Sequence, residues 1–441
     1  MFCVASCLYP GKWIFADQTF PGENRMQLKT ILNRVARNKG FVFGAIRFVE
    51  RAGRPTLEVE IRAHAKSWAI CSRCERKCPG YDTLDERRFE FIPFWGIVVF
   101  FVYAMRRVEC PMCGIKVERV PWAVGKHRLT TAYAWFLARW AKRMSWSEVA
   151  EAFRTTWHHV FCSVEMAVNW GREHMSLEGI TAIGVDEMHW SHQLFITVVY
   201  QINEGRKRLL WVEAHRTAKS LLSFFHWLGP ERSQCLEFVC SDMWQPYIKV
   251  IAKKASKAVH ILDRFHIVSH LSKAIDKVRA EEARKMKANG FEPVLTNSRW
   301  CLLKRVENLT ERQMDKLQDL LRFNLATVRA YLLKEQLQQF WEYDSPHWAG
   351  RFLDRWCDQA MRSRIDPMKR VARMLRKHRP LILNWFRARK QFSCGVVEGL
   401  NNKAKVISRK AYGFGTFYAL RIALYHGLGN LPTPRFAHEF F

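Results

Sequence analysis

ITAIGVDEMHW, residues 180–190, is an apolar stretch rich in β-branched side chains that carries Asp186 near its end. Two strand-like runs follow it, LFITVVYQI at 194–202 and RLLWVEAH at 208–215, and the polar residues between them predict a turn. The pattern then alternates, with predicted helices at 217–229 and 246–256 and predicted strands at 236–242 and 258–263. A three-strand meander followed by helix–strand–helix–strand predicts an α/β fold.

This order of elements is the order expected of a ribonuclease-H-like α/β core. In such a core the first and fourth strands can be neighbours, so Asp186 and Asp242 would face each other at one edge of the sheet. Two carboxylates in that position repel each other unless a divalent cation lies between them. Two rivals remain: Glu187, expected on the opposite face of the strand, and Asp263, at the end of the fifth strand.

A third acidic ligand is expected from the C-terminal part of the chain. Glu398 lies in VVEGLNNKAKVISRK, residues 396–410, a predicted helix whose other charged residues are all basic. Three carboxylates that hold two Mg2+ ions about 4 Å apart form a phosphoryl-transfer site, and hard oxygen ligands fit Mg2+ better than zinc. A surface aspartate or a salt-bridged helix glutamate is the alternative for each carboxylate taken singly.

The charge of the chain indicates a polyanionic partner. Its 441 residues hold 71 Lys+Arg against 41 Asp+Glu, a formal net charge of +30 at pH 7. Hydrophobic residues make up 49% and charged residues 25%, a globular composition that excludes wholesale disorder. Nucleic acid is the commonest polyanionic partner of such a protein, and the length suggests roughly two to four domains.

The positive charge is concentrated near the C-terminus. Residues 361–410 hold 15 Lys+Arg against 2 Asp+Glu, whereas residues 181–270 hold 11 against 8. Trp385, Phe386 and Phe392 alternate with cations, which suggests rings that stack on bases while the cations bind phosphates. The alternative is a solvated, Arg-rich helix surface. The candidate DNA-binding residues are Arg387, Arg389, Lys390, Lys403, Lys405, Arg409 and Lys410.

Two Cys-x2-Cys pairs predict a metal site in the N-terminal part of the chain. They are Cys71 with Cys74 and Cys110 with Cys113, and 35 residues lie between the pairs. Four thiolates on two tight turns complete a tetrahedral shell around one Zn2+, which makes the site structural rather than catalytic. Cys78 is a competing ligand. A strand pair, FEFIPFWGIVVFFVYAM, is expected to bring the two cysteine pairs together.

The rest of the chain divides into a β-rich module and helical segments. Residues 26–125 contain a short amphipathic helix followed by strand-like runs, as expected of a zinc-ribbon-like module. Within residues 126–178, two short helices joined tightly predict a helix-turn-helix that binds DNA. Residues 268–392 lack a convincing strand, so a helical insertion is expected to interrupt the α/β domain, residues 179–441.

No segment of the sequence suggests export or a membrane span. The most apolar stretch, residues 91–105, is shorter than the roughly 20 residues that a spanning helix needs. The N-terminus lacks the basic start and continuous apolar run of a signal peptide. Thirteen cysteines, an odd number in a long chain, fit reduced thiols better than a disulfide framework. The sequence therefore predicts a cytoplasmic protein that does not enter a membrane.

The chain resembles the insertion-sequence transposases of the ISL-three family, which carry a DDE catalytic triad. The resemblance extends from Met26 to about Pro432 and rests on CPMCG, PWAVGKHRLT, IGVDE, SDMWQPYI, LDRFHIVSH and VVEGLNNKAKVISRKAYGF. It implies that Asp186, Asp242 and Glu398 are the triad, with two catalytic Mg2+ ions. Intervals of 56 and 156 residues separate the three carboxylates, and the second is long enough to contain the helical insertion.

The resemblance also implies further parts of the protein. It assigns the four cysteines to the zinc module of the family and residues 129–175 to its helix-turn-helix. Asp263 and His266 resemble an Asp-x-x-His signature of transposases with an interrupted core, which marks them as candidate accessory residues; a structural role is the alternative for His266. Family members begin close to Met26, so residues 1–25 are expected to be an atypical extension or a mistaken start. The implied partner is double-stranded DNA, both element ends and target, bound in the bacterial nucleoid by a homo-oligomer that is at least a dimer.

Three functions are compatible with these features. The first is a transposase that cuts a strand with water and then joins the freed 3′-hydroxyl to target DNA, without a covalent enzyme intermediate. The second is a catalytically silent, transposase-derived DNA-binding regulator, which is disfavoured because all three carboxylates are present in their motifs. The third is a ribonuclease-H-like nuclease, for which the zinc module and helix-turn-helix are a less economical explanation.

Overall fold

The computed structural model of the chain describes residues 28–36, 38–191, 194–291, 294–391 and 395–434. The predicted extension at 1–25 and the aromatic residue Phe392 lie outside these residues. The chain forms two compact units, of which the first ends at Phe136 and the second begins at Leu137.

The first unit consists of a helix, a five-stranded sheet and a two-stranded ribbon. In chain order its elements are α1 (Leu28–Val35), β1 (Phe41–Arg51), β2 (Arg54–Ala63), β3 (Ala69–Ile70), β4 (Lys77–Cys78), β5 (Gly80–Phe94), β6 (Ile97–Cys110) and β7 (Gly114–Val117). The main sheet has the order β1-β2-β6-β5, β7 also pairs with β6, and β3 and β4 form the ribbon. The strand pair predicted between the two cysteine pairs is the hairpin of β5 and β6.

The β5–β6 hairpin has a two-residue turn and an aromatic core. Trp95 and Gly96 have φ angles of 46° and 83°, as in the type I′ turns that suit the twist of a hairpin. Within the hairpin, Phe91 of β5 stacks on Phe101 of β6 with ring centroids 4.6 Å apart, and both rings belong to the buried core of this sheet. The hairpin carries Cys110 at the end remote from its turn.

Three helices follow β7 in the chain. They are α2 (Thr131–Trp140), which crosses the boundary between the two units, α3 (Trp146–Ala152) and α4 (Trp157–Glu173). The Ser145 hydroxyl accepts a hydrogen bond from the Glu148 amide at 3.3 Å, and the Glu148 carboxylate accepts one from the Ser145 amide at 2.6 Å. Thr156 caps α4 through its side chain. Side-chain caps thus mark the starts of α3, which has 7 residues, and of α4, which has 17.

A second five-stranded sheet lies in the second unit. Its strands are β8 (Ala182–Ser191), β9 (Leu194–Asn203), β10 (Arg206–Ala214), β11 (Phe238–Ser241) and β12 (Val259–Leu262), in the order β10-β9-β8-β11-β12. β8, β9 and β10 form the predicted antiparallel meander, and β11 is parallel to both β8 and β12. The first and fourth strands of the sheet are therefore neighbours, as the sequence predicts. The connecting helices are α5 (Ala218–Leu228), α6 (Pro230–Gln234) and α7 (Gln245–Lys254).

The rest of the second unit is helical. After β12 come α8 (Arg264–Ala288), α9 (Arg299–Leu303), α10 (Glu311–Leu321), α11 (Ala326–Gln338), α12 (Pro346–Arg362), α13 (Asp366–Arg387), α14 (Gly395–Lys410) and α15 (Phe417–Leu428). Within the described part of residues 268–392 the regular elements are helices and there is no strand. None of the helices in the described ranges combines the length and apolarity that crossing a membrane requires.

Two aromatic residues of the basic segment are core residues, which corrects their predicted role in base stacking. Trp385 and Phe386 are 8% and 4% exposed. The Phe386 ring meets the Phe340 ring edge-on with centroids 5.0 Å apart, and Trp385 packs in the same way on Trp341. Packing between helices therefore occupies these rings. Of the neighbouring cations, Arg387 is exposed at the C-terminal end of α13, and Arg389 and Lys390 follow the helix.

Candidate active site and metal centres

Asp186 lies in β8, and Asp242 directly follows the neighbouring strand β11. In the parallel pairing of β8 with β11, Gly184 is opposite Cys240, and each aspartate follows two residues later. The negative charge of Asp242 contributes to the raised pKa of Asp186, so the two carboxylates lie close to each other at this edge of the sheet. The structure thus brings together two of the three predicted catalytic residues.

Asp186 is mostly buried and accepts two hydrogen bonds. Its Oδ1 accepts from the Glu187 amide at 2.8 Å, and its Oδ2 accepts from Asn401 Nδ2 at 2.7 Å. Burial raises the pKa of Asp186 to about 6, and the negative charges of Asp263 and Asp242 act in the same direction. Neighbouring carboxylates therefore interact electrostatically across this edge of the sheet.

Arg216 links Asp242 to Glu187. Its Nη2 lies 2.7 Å from Asp242 Oδ2 and 2.9 Å from Glu187 Oε1. The other Asp242 oxygen accepts a hydrogen bond from the Trp244 amide at 3.0 Å, and the guanidinium lies over the Trp244 ring. Burial raises the pKa of Glu187 to about 7, with the charge of Asp242 acting in the same direction. Asp242 and Glu187 are thus held by one cation.

Asp263 and His266, the candidate accessory residues, lie beside Asp186. Asp263 caps α8, because its Oδ1 accepts from the Phe265 amide at 2.8 Å. His266 Nε2 lies 3.7 Å from Asp263 Oδ2 and 3.9 Å from Asp186 Oδ1. A protonated imidazole in this position forms ion pairs with both carboxylates.

Helix α14 packs along β8 and carries Glu398. A Cβ added at Gly184 would lie 2.3 Å from Val397 Cγ2, so the glycine permits the close approach of helix and strand. Asn401, which contacts Asp186, is one helical turn after Glu398. Glu398 itself is exposed.

The carboxylates do not form a compact cage. Among the residues that the structure describes, only one group of three or more His, Cys, Asp or Glu side chains has all its ligand atoms within 4.8 Å of one another, and it consists of Cys71, Cys74, Cys110 and Cys113. The oxygens of Asp186, Asp242 and Glu398 are not such a group. Asp186 and Asp242 share one site, whereas the Glu398 side chain faces solvent.

The donor set at the sheet edge nevertheless fits a hard divalent cation. Four carboxylates gather there: Asp186, Glu187, Asp242 and Asp263. Oxygen ligands without thiols or an imidazole cluster suit Mg2+, which is bound through one or two carboxylates, substrate phosphates and water. Asp186 and Asp242 are the residues that would hold it.

The four cysteines of the first unit fit one zinc ion. Cys74 Sγ and Cys110 Sγ are 3.5 Å apart, and a tetrahedral zinc with Zn–S bonds of about 2.3 Å spaces its sulfurs about 3.8 Å apart. The Met112 amide is the main cause that lowers the pKa of Cys110 to about 6, which favours the thiolate that a metal binds. Cys78 is buried outside the group, and its thiol donates to the Arg76 carbonyl at 3.5 Å. Among the described residues, the group with metal-binding geometry consists of the other four cysteines.

The candidate DNA-binding cations differ in their surroundings. Lys390 forms a salt bridge with Asp344 at 2.8 Å, and Arg387 donates to Asn384 Oδ1 at 3.0 Å. Lys410 donates to a backbone carbonyl, that of Arg143. Among the residues that the structure describes, the exposed candidates that form no such side-chain contact are Arg389, Lys403, Lys405 and Arg409.

Two functional candidates have no counterpart in the sequence analysis. Arg216 directly follows the third strand run, and its position at a strand end is the signal that could have marked it. Asn401 lies one turn after Glu398, inside the motif VVEGLNN, and the same helix face would have pointed to it. Both residues act by contacting the aspartates.

The chain is similar in sequence to a known protein family and to individual proteins. A family profile described as Transposase, of the DDE ISL-three type, matches residues 183–424, from the second residue of β8 into α15. The transposase for insertion sequence element IS1001 of Bordetella parapertussis is 28% identical over 381 residues, 85% of this chain and 92% of that protein. The transposase for insertion sequence element IS1557 of Mycobacterium tuberculosis is 29% identical over 428 residues, 90% of this chain and 94% of that protein.

Proposed function

Because the chain belongs to the ISL-three family of DDE transposases, we propose that it binds the terminal inverted repeats of its own insertion sequence and catalyses Mg2+-dependent strand cleavage and strand transfer. The observation that carries this proposal is the pairing of β8 with β11, because Asp186 lies in β8, Asp242 directly follows β11, and the charge of Asp242 acts on Asp186. The net charge of +30 supports a DNA substrate. The strand order of the second unit supports a ribonuclease-H-like core.

The proposed triad is Asp186, Asp242 and Glu398. Two bound Mg2+ ions would activate the attacking hydroxyl and stabilise the leaving oxygen of the phosphodiester. Asn401 orients Asp186 by donating to its Oδ2, and a carboxylate that accepts this bond retains lone pairs for other partners. The same contact holds the first turns of α14 against β8 and keeps Glu398 on the helix turn that touches Asp186.

Three further residues are proposed to adjust the charge of the site. Arg216 holds Asp242 in place and offsets part of the negative charge before the substrate binds. Asp263 and His266 are proposed as accessory residues, because a protonated His266 would do the same for Asp186.

DNA recognition is proposed to involve both units. One structural Zn2+ on Cys71, Cys74, Cys110 and Cys113 would fix the end of the β5–β6 hairpin. Residues 126–178, with α3 and α4, are proposed as the helix-turn-helix, within a chain arranged as a zinc module at 26–125 and a catalytic domain at 179–441. The basic residues of α13 and α14 would bind phosphates. Pairing two element ends in the nucleoid would need at least a dimer.

A cleavage and strand-transfer assay tests the proposal. The substrates are duplexes of the DNA that flanks the gene, with Mg2+, and the variants are Asp242→Asn and Asp315→Asn, an exposed aspartate of α10. Wild type and Asp315→Asn are expected to cut and join, while Asp242→Asn binds the ends without cutting. Binding without cutting by the wild type would indicate a regulator, and cutting without joining a nuclease. Full activity of Asp242→Asn would contradict the assigned site.

A further inference from the structure

A cavity of about 260 Å3 lies between β8 and α14, beyond Asp186 along the strand. Its lining from the strand and the helix includes Met188, His189, Trp190, Lys405, Ser408 and Arg409. The proposed strand chemistry uses none of these side chains. Aromatic and apolar walls combined with cations are the lining expected of a site for a flat, polar-edged ligand attached to phosphates.

The cavity continues the strand–helix contact that begins at the catalytic aspartate. Val397 packs on Gly184, and one helical turn later Asn401 bonds to Asp186. Four helix residues advance about 6 Å and two strand residues about 6.6 Å, so the two elements stay in step. The next two turns of α14 therefore lie beside the end of β8, where the cavity opens.

Two cations of the lining share a stripe of α14 with Glu398. Lys405 and Arg409 follow Glu398 by seven and eleven residues, about two and three helical turns, and all three side chains are exposed. Along the helix axis these steps are about 10 and 16 Å. Successive phosphates of one DNA strand are about 3.4 Å apart along the duplex axis, so this stripe is as long as about three to five phosphates.

We propose that this cavity takes one nucleobase of the bound DNA, rotated out of the duplex close to the phosphodiester that is cut. The inference rests on the proposed function, because a DNA strand at Asp186 is what brings a base to the cavity. Trp190 provides a ring for stacking, and Lys405 and Arg409 hold the neighbouring phosphates.

The size and lining favour a single base. The volume is below the roughly 300 Å3 at which pockets for drug-sized ligands begin. Met188 contributes an apolar wall, while the Ser408 hydroxyl and the His189 imidazole offer hydrogen bonds to the edge of a base. The Trp190 ring is held edge-on against Phe417, with centroids 6.1 Å apart, so the stacking surface is positioned before DNA binds.

Mismatch scanning tests the proposal with the full-length protein. Dissociation constants are measured without added Mg2+ and without a chelator, which prevents Mg2+-dependent cutting and leaves the structural zinc in place. The substrates are end duplexes with a mismatch at each position near the mapped cut. A mismatched base rotates out of the duplex at lower cost. The wild type is therefore expected to bind the duplex that is mismatched at one particular position about tenfold more tightly than the fully paired duplex. Trp190→Ala should lose this gain and Trp190→Phe should keep it. Trp300→Ala, which removes an exposed tryptophan of α9, is the matched control and should also keep it.

The outcomes separate this inference from the proposed function. The base site is overturned if the wild type cuts the ends but binds no mismatched duplex more tightly than the paired one. It is also overturned if Trp190→Ala keeps the tighter binding. Both outcomes leave the transposase assignment standing. A wild type that neither binds nor cuts the ends overturns both. If Trp190→Ala does not fold, Ser408→Leu narrows the cavity from the helix side and should abolish the same gain, and persistence of the gain there overturns the base site.

Discussion

Asn401 Nδ2 donates a 2.7 Å hydrogen bond to Oδ2 of Asp186, although the two residues are 215 positions apart in the chain. The Asn401 carbonyl oxygen accepts a 2.8 Å bond from the hydroxyl of Tyr200, which is fully buried in β9. A continuous chain of hydrogen bonds therefore joins β9, α14 and β8 at the acidic edge of the sheet. Asn401 is thus the residue through which α14 contacts Asp186.

Asn401→Ala is expected to damage the site more than the fold. The substitution removes the donor to Asp186 and leaves the Tyr200 hydroxyl without its acceptor, a loss of about 1 to 3 kcal/mol in the free energy of unfolding. End cleavage should fall by about tenfold or more, since a misplaced carboxylate weakens transition-state stabilisation, while end binding stays unchanged. Asn402→Ala, at the exposed neighbouring position, is the control. Equal cleavage by the two variants would exclude a positioning role for Asn401.

Gly184→Ala is expected to displace α14 from β8. The added Cβ would lie 2.3 Å from Val397 Cγ2, and overpacking of this kind lowers the free energy of unfolding by about 1 to 3 kcal/mol. Because α14 carries Glu398 and Asn401, cleavage should fall together with stability. Chemical unfolding and end cleavage measure the two effects.

A second substitution checks that the clash is the cause. Val397→Ala in the Gly184→Ala background removes the clashing methyl groups and should restore part of the cleavage. Gly399→Ala, where an added Cβ meets no atom within 4 Å, is the matched glycine control and should retain activity. The clash would be excluded as the cause if Val397→Ala failed to restore cleavage and Gly399→Ala lost as much cleavage as Gly184→Ala. That result would show that this part of α14 tolerates no substitution.

The strands and the cysteine group could be predicted because their signals are local. A buried strand is recognised as a run of β-branched and apolar residues, and the strand predicted at 236–242 contains β11, Phe238–Ser241, which ends one residue before Asp242. The cysteine spacing constrains two tight turns, which the structure brings together as one group. The adjacency of the first and fourth strands follows from the order of the elements.

Residues whose roles depend on distant partners could not be predicted in the same way. Arg216 matters because β11 places Asp242 beside it, and no local pattern encodes that contact. Trp385 and Phe386 lie among cations in sequence, but the face that they occupy is set by neighbouring helices, which bury both rings. Composition reveals a basic segment; tertiary packing decides which of its side chains meet solvent.

Cys113→Ser is expected to abolish zinc binding. The group loses one of four sulfurs, and a hydroxyl does not replace a thiolate on a tetrahedral zinc. Metal analysis of the purified protein should give about one zinc per chain in the wild type and little in the variant. Cys78→Ser is the control, because this buried thiol lies outside the group and should leave the zinc content unchanged. Zinc loss in the control with retention in Cys113→Ser would reverse the ligand assignment.

Glu90→Gln is expected to stabilise the protein at alkaline pH. Burial raises the pKa of Glu90 in β5 to about 7 from its usual value of 4.5. The unfolded chain therefore loses this proton at lower pH than the folded chain, and stability falls as pH rises from about 4.5 to about 7. The full shift corresponds to about 3 kcal/mol, which partial exposure to solvent reduces to about 1 to 3 kcal/mol.

The Glu90 effect has a distinct pH signature that separates it from a general effect of removing charge. Urea unfolding of the full-length chain should show Glu90→Gln more stable than wild type at pH 8, with the difference below about 1 kcal/mol at pH 5, where folded Glu90 is already neutral. Glu86→Gln, at an exposed position of the same strand, removes the same formal charge without burial and should shift stability by less than about 0.5 kcal/mol at both pH values. A stability gain for Glu90→Gln that is as large at pH 5 as at pH 8 would show that an effect other than ionisation is responsible, because only the ionised carboxylate is penalised by burial.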